Sequence, residues 1–353
     1  MNDPITTIGC DLGDLRSTVF TIHADGRTER CQSLQTTRAA FGKWFARPRC
    51  RVVLEAGAHS RWTAELLEEL GHEVIVANPR RLRVISQSDT KTDEADAELL
   101  ARLGRSDPKL LSPIHHRGME VQHDLAVLKS RDALVTARTR LINLCRGMVK
   151  SSGLRLKTCT AKSFHRSGAI DQIPAELLPA LAPIFHVLEH IELGIRAEEE
   201  RIAKLTKKYP DAEVVGQPIG VGVLTALTFV LTLEDKNRFK KSRSVGAFIG
   251  ICPRKRASGR QDPQLRITKA GDPFLRRLLV QCANYILGPQ CKADSDLRRW
   301  GVRLAERGGM NGRKRAKVAV ARRLAVLMHR LWVSGEVYEP LRQAKRSEKS
   351  KAA

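Results

Sequence analysis

Before residue 80 the chain sets three short β-type runs in succession, and this order limits the fold more than any other feature. Ile5–Cys10 is an apolar run that ends at Asp11. Ser17–His23 is rich in β-branched residues and stops at the turn Ala24-Asp25-Gly26. Arg27–Leu34 returns as a third strand. A threonine, Thr36 or Thr37, then caps a helix that runs to Phe45. From there strand and helix alternate. RVVLE over Arg51–Glu55 reads as a buried strand. Ser60–Leu70 has helical periodicity and stops at Gly71. HEVIVAN over His72–Asn78 is a strand closed by Pro79, and Thr92 caps a helix to about Leu103. The expected fold class for this part is α/β: an antiparallel meander extended by a fourth strand beside the first, with helices on the sheet faces.

The character then changes. Apolar residues recur at helical spacing between about Gly118 and Lys208, with Pro174, Pro179 and Pro183 breaking the stretch between two long helices. This region, residues 117–210, is expected to be a helical, coiled-coil-like pair used for dimerisation. Residues 211–340 read as a third, mostly helical unit, and 341–353 as a disordered basic tail. The first domain then covers residues 1–116.

Charge narrows the partners. The formal net charge is +24, and residues 240–353 hold 28 Lys/Arg against 8 Asp/Glu, so most of the excess lies there. Such an imbalance calls for a polyanion, most simply nucleic acid. No stretch of about 18 uninterrupted apolar residues is present, so no membrane span is expected. The acidic N-terminus lacks the basic segment of a secretory signal. The eight cysteines form no C-x-x-C pair, which fits reduced thiols in a cytoplasm.

Four acids stand out by position. Asp11 ends the first strand, Glu55 ends the fourth, and Asp93 and Asp96 lie three apart on one helix face. Carboxylates bunched together repel unless cations neutralise them. Two divalent ions about 4 Å apart clamp a phosphodiester, and oxygen-only ligands favour Mg²⁺ or Mn²⁺. Each acid alone reads first as a turn former or helix-start residue; together they point to a metal site. Asp14 and Glu94 read as solvated acids.

The C-terminal half offers phosphate-binding candidates. Pro218–Gly222 resembles a helix-hairpin-helix turn, in which Gly220 and Gly222 let backbone N–H groups approach a phosphate. Arg254, Lys255, Arg256, Arg260, Arg266, Lys269, Arg276 and Arg277 are expected to line a phosphate-contacting surface, as are Arg313, Lys314 and Arg315 on a later helix. Ser258 sits in a polar loop among these arginines. A serine hydroxyl needs activation before it becomes a nucleophile, and spacing alone leaves Ser258 an ordinary loop serine.

The residues also resemble a known family, the DEDD transposases of the insertion-sequence one-ten family, or bridge-RNA-guided serine recombinases. The matching blocks are IGCDLG, VVLEAGAHSRW, KTDEADAELLARL, PIGVGVLTALTFVLTL, RFKKSRSVGAFIGICP, ASG at Ser258, RITKAGDPFLRRLLVQCA and RAKVAVARRLAVLMHRLW. They occur in family order from about residue 5 to 335. The resemblance implies a RuvC-like (ribonuclease-H-like) N-terminal domain in which Asp11, Glu55, Asp93 and Asp96 are catalytic and hold Mg²⁺. It implies a transposase domain with Ser258 as the nucleophile that forms a phosphoserine link to DNA. It also implies dimers pairing into tetramers, so that one subunit's RuvC-like domain meets another's serine domain, and a structured non-coding guide RNA that pairs with target and donor DNA. Action would be in the bacterial cytoplasm, on the nucleoid. Leu265 and Asp272 depart from the family's usual Gly and Asn. The alternatives are a junction-resolvase-type hydrolytic nuclease, in which the carboxylates activate water, and a non-catalytic RNA/DNA-binding protein.

Overall fold

The computed structural model describes residues 5–80, 82, 92–259, 261–263, 265–307 and 309–342. It divides into two compact units, Met1–Arg117 and Gly118–Ala353.

The first unit is a five-stranded mixed sheet. Its strands are β1 (Thr7–Asp11), β2 (Arg16–Ile22), β3 (Gln32–Gln35), β4 (Arg51–Glu55) and β5 (Glu73–Ala77), in the order β3-β2-β1-β4-β5. β1, β2 and β3 pair antiparallel, whereas β4 runs parallel to β1 and β5 parallel to β4. The sequence reading of this meander and its extension agrees with the structure. β3 alone is shifted, starting at Gln32 rather than Arg27, because Thr28 only bridges to Ile22 and the ladder resumes at Val19↔Gln32.

Strand alternation sorts the side chains between two faces. Ile8, Cys10, Val52, Leu54 and Val76 share one core with Phe41, Phe45, Ala64 and Leu67. Phe41 lies on α1 (Arg38–Trp44, capped by Thr37), Phe45 ends that helix, and Ala64 and Leu67 lie on α2 (Ser60–Glu69). Gly9, Val53, Ile75 and Ala77 face the other way, under α3 (Asp93–Ser106). Thr92 caps α3 by accepting from Ala95 N at 3.2 Å, and Asp93, Glu94 and Asp96 sit in its first turn, where acids complement the helix dipole.

The seat of α3 is unusually close. A Cβ at Gly9 would stand 2.0 Å from the Ala97 carbonyl oxygen and 2.5 Å from Ala101 N. A Cβ at Gly104 would stand 2.3 Å from a Val53 methyl. Ala97, Ala101 and Gly104 thus form a smooth stripe that lets the helix lie directly on the strands.

The second unit is helical. α4 (Met119–Ser151) and α5 (Leu178–Lys208) form a long antiparallel hairpin. Its rungs are Asp124 with Lys208 and Tyr209, Ser130 with Glu198, Arg131 with Glu199, and Arg138 with the buried Glu192. α5 begins before Pro183 and carries that proline inside it, contrary to the expected break. Leu181, Phe185 and Leu188 continue one apolar stripe past it into a core with Phe164. α5 is also the one helix among the described residues long and apolar enough to cross a membrane. Its apolar stripe is instead buried within the unit, and two of its carboxylates, Glu192 and Glu198, are buried beside arginine or serine partners.

The remaining helices are α6 (Asp211–Gly216), α7 (Val223–Leu233), α8 (Val245–Phe248), α9 (Pro273–Ile286), α10 (Asp296–Arg307) and α11 (Gly312–Ser334). α7 is buried on all sides from Thr225 to Leu233, as a central core helix must be; α4, α6 and α9 pack against it, and Trp332 of α11 meets Phe229 edge-on. Leu125, Leu128, Ile202 and Leu205 of the hairpin join that same core. The hairpin and the C-terminal helices therefore form one compact unit, where the sequence reading has two. The tail from 343 onward lies outside the described residues.

Two outcomes follow from these contacts. Gly9→Ala forces its methyl into backbone atoms of α3, and urea unfolding of the full chain should show a loss of about 3 kcal/mol. His329, on α11, is 1% exposed; Nε2 donates to the Lys236 carbonyl at 2.9 Å and Nδ1 accepts from the Ser242 hydroxyl at 3.0 Å. Burial holds its pKa below the usual 6.5, against the smaller upward pull of the Lys236 carbonyl. Below that pH the unfolded ring is protonated while the folded ring resists, so unfolding takes up a proton and stability falls with acidity. His329→Gln should show a shallower loss of stability between about pH 7 and 5 in pH-resolved denaturation.

Candidate functional site

The four predicted acids occupy one end of the first unit. The β1–β4 ladder closes at Cys10↔Leu54, and Asp11 and Glu55 are the next residues on those neighbouring parallel strands. By alternation Asp11 falls on the face of Gly9, and Glu55 on the face of Val53, both beneath α3. The helix runs opposite to β1. Gly104 lies over Thr7, and Ala97 and Ala101 lie over Gly9. Two strand residues advance ~6.6 Å, which four or five helical residues match. One more such step brings Asp11 to the level of the first turn of α3. Asp96 is buried there, at 8% exposure, and Asp93 is exposed.

The electrostatics suit an acid-rich end. Burial, reinforced by the Asp11 carboxylate next to it, pushes the Cys10 thiol far above its ordinary range and keeps it neutral. The donor set is all oxygen, which matches a hard divalent cation in chemistry. Among the described residues, however, no three His, Cys, Asp or Glu side chains are gathered closely enough to hold a metal ion. The structure thus brings the acids to one end without drawing them into a formed cage.

Two histidines in the segments that follow these strands were not anticipated. The Trp62 indole N–H donates to His59 Nδ1 at 3.0 Å, which leaves the neutral ring's proton on Nε2, 3.4 Å from Asp14 Oδ1. This contact joins the segment after β1 to the segment after β4. The buried Ser60 hydroxyl donates to the Gly57 carbonyl, so it accepts from His116 Nε2 at 3.1 Å. Burial, with Arg61 and Arg117 nearby, lowers the His116 pKa. Nothing in the local spacing signals either contact, since the partners lie 45 and 56 residues apart.

The second unit presents Ser258 on a feature the sequence reading treats only as a loop. Backbone hydrogen bonds join Lys269 N to Gly250 O, Thr268 N to Cys252 O and Arg254 N to Arg266 O. At the far end Ser258 and Gln261 exchange both N–H···O bonds, at 3.1 and 3.0 Å. These bonds and the bridges Pro253↔Ile267 and Ser258↔Gln261 pair the two arms of a ribbon, and Ser258 is the last paired residue of its first arm. Gly259 has φ +55°, the left-handed backbone a tight turn there requires. Ser258 is exposed, and its hydroxyl has no hydrogen-bond partner among the described residues. Arg254, Lys255, Arg256 and Arg266 are exposed along the arms. Arg260 lies outside the described residues.

Other expected phosphate ligands are placed differently. Arg276 donates to the Ile249 and Ala270 carbonyls, both at 2.9 Å. Arg277 pairs with Asp132 and stacks on Phe274. The Arg276 guanidinium is thus engaged by the ribbon base, while Arg277 stays exposed in a surface ion pair with α4. Gly220 has φ +84°, and a Cβ there would meet Tyr285 and Ile286, so it serves a tight turn against α9. Gly222 opens onto free space at the start of α7. Arg313, Lys314 and Arg315 are exposed in the first turn of α11. Asp272 caps α9 by accepting from Leu275 N at 2.9 Å, a role for which Asn is equally suited.

Lys269 is exposed with φ +54°, a left-handed conformation that costs a non-glycine residue about 1 kcal/mol. Lys269→Gly should therefore raise stability by up to about 1 kcal/mol in thermal unfolding.

Comparison with known proteins adds a family. Residues 8–152 match the DEDD_Tnp_IS110 model, described as a transposase. Residues 213–296, which include the whole ribbon, match the model described as Transposase IS116/IS110/IS902 family. The chain is 31% identical over 295 residues to the transposase for insertion sequence element IS1111A of Coxiella burnetii, covering 81% of this chain and 79% of that protein. It is 28% identical over 339 residues to a probable family 20 transposase of Pseudomonas aeruginosa, covering 93% and 97%. It is 29% identical over 288 residues to the transposase for insertion sequence element IS1328 of Yersinia enterocolitica, covering 79% and 83%.

Proposed function

Because the chain belongs to the IS110/IS116/IS902 family of DNA transposases, we propose that it mobilises its own insertion sequence by cutting and rejoining DNA through a covalent phosphoserine at Ser258. The observation that carries this reading is the position of Ser258, exposed at the far end of a ribbon with basic arms. A nucleophile for a duplex backbone has to protrude, and its surroundings have to favour a phosphate. The tip meets the first need, and Arg254, Lys255, Arg256 and Arg266 meet the second.

In the proposed reaction the Ser258 oxygen attacks the phosphorus of a phosphodiester and loses its proton. A bond from serine oxygen to phosphorus forms, and one phosphorus–oxygen bond to deoxyribose breaks, releasing a sugar hydroxyl. Attack by the hydroxyl of the exchanged strand reverses the step and returns the proton to serine. The number of phosphodiester bonds is conserved, so exchange needs no external energy source. The arginines stabilise the added charge on the phosphoryl oxygens.

The ribonuclease-H-like reading of the first unit rests on its 3-2-1-4-5 sheet with only β1–β3 antiparallel. Asp11, Glu55, Asp93 and Asp96 are the residues that would hold Mg²⁺ or Mn²⁺. A bound divalent ion supplies charge neutralisation at the phosphodiester oxygens. The protein's own contribution there is to place carboxylates under the start of α3. A structured guide RNA, a dimer that assembles to a tetramer, and action in the bacterial cytoplasm complete the proposal. Assigning base choice to RNA accords with a protein whose basic residues lie largely on exposed surfaces.

The test is a trapping assay with purified protein, co-purifying RNA, Mg²⁺ and labelled DNA carrying the element's junction. A labelled band at protein size should form with the wild type and be absent with Ser258→Ala. Asp11→Ala should reduce product formation at least ~100-fold. Cleaved DNA without any adduct would replace this reading with metal-dependent hydrolysis.

A further inference from the structure

The ribbon that carries Ser258 rises from a base of unusual construction. At its foot two backbone segments cross in direct contact. A Cβ at Gly250 would stand 2.0 Å from the Ala270 carbonyl oxygen and 2.4 Å from Ala270 N. A Cβ at Gly271 would stand 2.0 Å from the Phe248 carbonyl oxygen. Three residues here are left-handed: Gly250 at φ +80°, Lys269 at +54° and Gly271 at +71°. Lys269 holds that conformation without being glycine, so its surroundings must enforce it.

One side chain reaches both crossing segments. Arg276 projects from the first turns of α9, and its Nη1 donates at 2.9 Å to Ile249 O on the incoming strand and at 2.9 Å to Ala270 O on the outgoing one. A cation near a helix N-terminus opposes the dipole, so its placement there needs a compensating role. Bonds from a charged donor to two carbonyls supply it. α9 itself is firmly seated: Phe274, Leu275, Leu278 and Leu279 are buried in the core. The guanidinium therefore fastens the ribbon's foot to a helix seated in the core.

We infer that Arg276 is a positioning residue for the strand-exchange reaction, locking the foot of the 250–269 ribbon so that Ser258 at its tip is held in a fixed direction. This rests on the reading of Ser258 as the nucleophile. A rotation at the foot is carried on to the tip, because the bridge at Ser258↔Gln261 lies five residues beyond the one at Pro253↔Ile267. Direct phosphate contact by Arg276 is replaced here by control of where the serine points.

The experiment compares full-length wild type, Arg276→Gln and Arg276→Lys. Without DNA, hydrogen exchange reads the Thr268 and Lys269 amides of the ribbon foot, with α7 and α11 as internal reference. With DNA, the trapping assay reads adduct rate, and binding of the same DNA is measured separately. In Arg276→Gln the foot amides should exchange at least ~10-fold faster with α7 and α11 unchanged. The adduct rate should fall at least ~10-fold at unchanged DNA affinity, and Arg276→Lys should recover part of both. Unchanged foot exchange with a lost adduct would overturn the inference in favour of direct contact with DNA. Faster exchange throughout α7 and α11 would overturn it in favour of a general folding role. An adduct equally absent from wild type and Ser258→Ala would refute the serine reading and with it the positioning role, while the exchange data would still show whether Arg276 fastens the foot.

Discussion

The arrangement of the first unit depends on how closely α3 can lie against β1. The contact works because Gly9 has no side chain and because Ala97, Ala101 and Gly104 present a shallow stripe to the sheet. Any larger residue would lift the helix off the strands. Lifting it would carry the first turn of α3, with its acids, away from the ends of β1 and β4. Packing at residues that do no chemistry therefore sets where Asp96 stands relative to Asp11 and Glu55.

The second unit solves a different problem with a similar device. Its core is built around α7, buried from Thr225 to Leu233 among α4, α6 and α9. Against that rigid body the 250–269 ribbon is a thin projection held by few hydrogen bonds. Backbone crossing at Gly250 and Gly271, together with Arg276, ties the projection to the core. In both units a glycine admits backbone contact, and the contact orients a group lying several residues further along the chain.

Much of the architecture was legible from residue order. The three consecutive β-type runs, the threonine caps at Thr37 and Thr92 and the strand ending at Glu55 all correspond to elements of the structure, because each depends on neighbours within a few positions. Pro183 misled the reading of α5 because burial of Leu181, Phe185 and Leu188 outweighs one lost helical hydrogen bond. The ribbon was missed for the opposite reason. Its arms lack apolar alternation, so only the long-range pairing of residues 250–254 with 266–269 reveals it.

The sequence by itself determined the meander and its parallel extension and the excess of positive charge toward the C-terminus, which are properties of composition and local periodicity, and its motif blocks carried the resemblance to the family. Tertiary structure alone decided which charged groups remain available. Arg276 reads like Arg254 and Arg256 along the chain, yet carbonyls at the ribbon foot engage Arg276, while Arg254 and Arg256 are exposed and Arg277, also exposed, pairs with Asp132. A guanidinium takes whatever acceptors the fold brings within about 3 Å, and those acceptors come from residues up to 145 positions away.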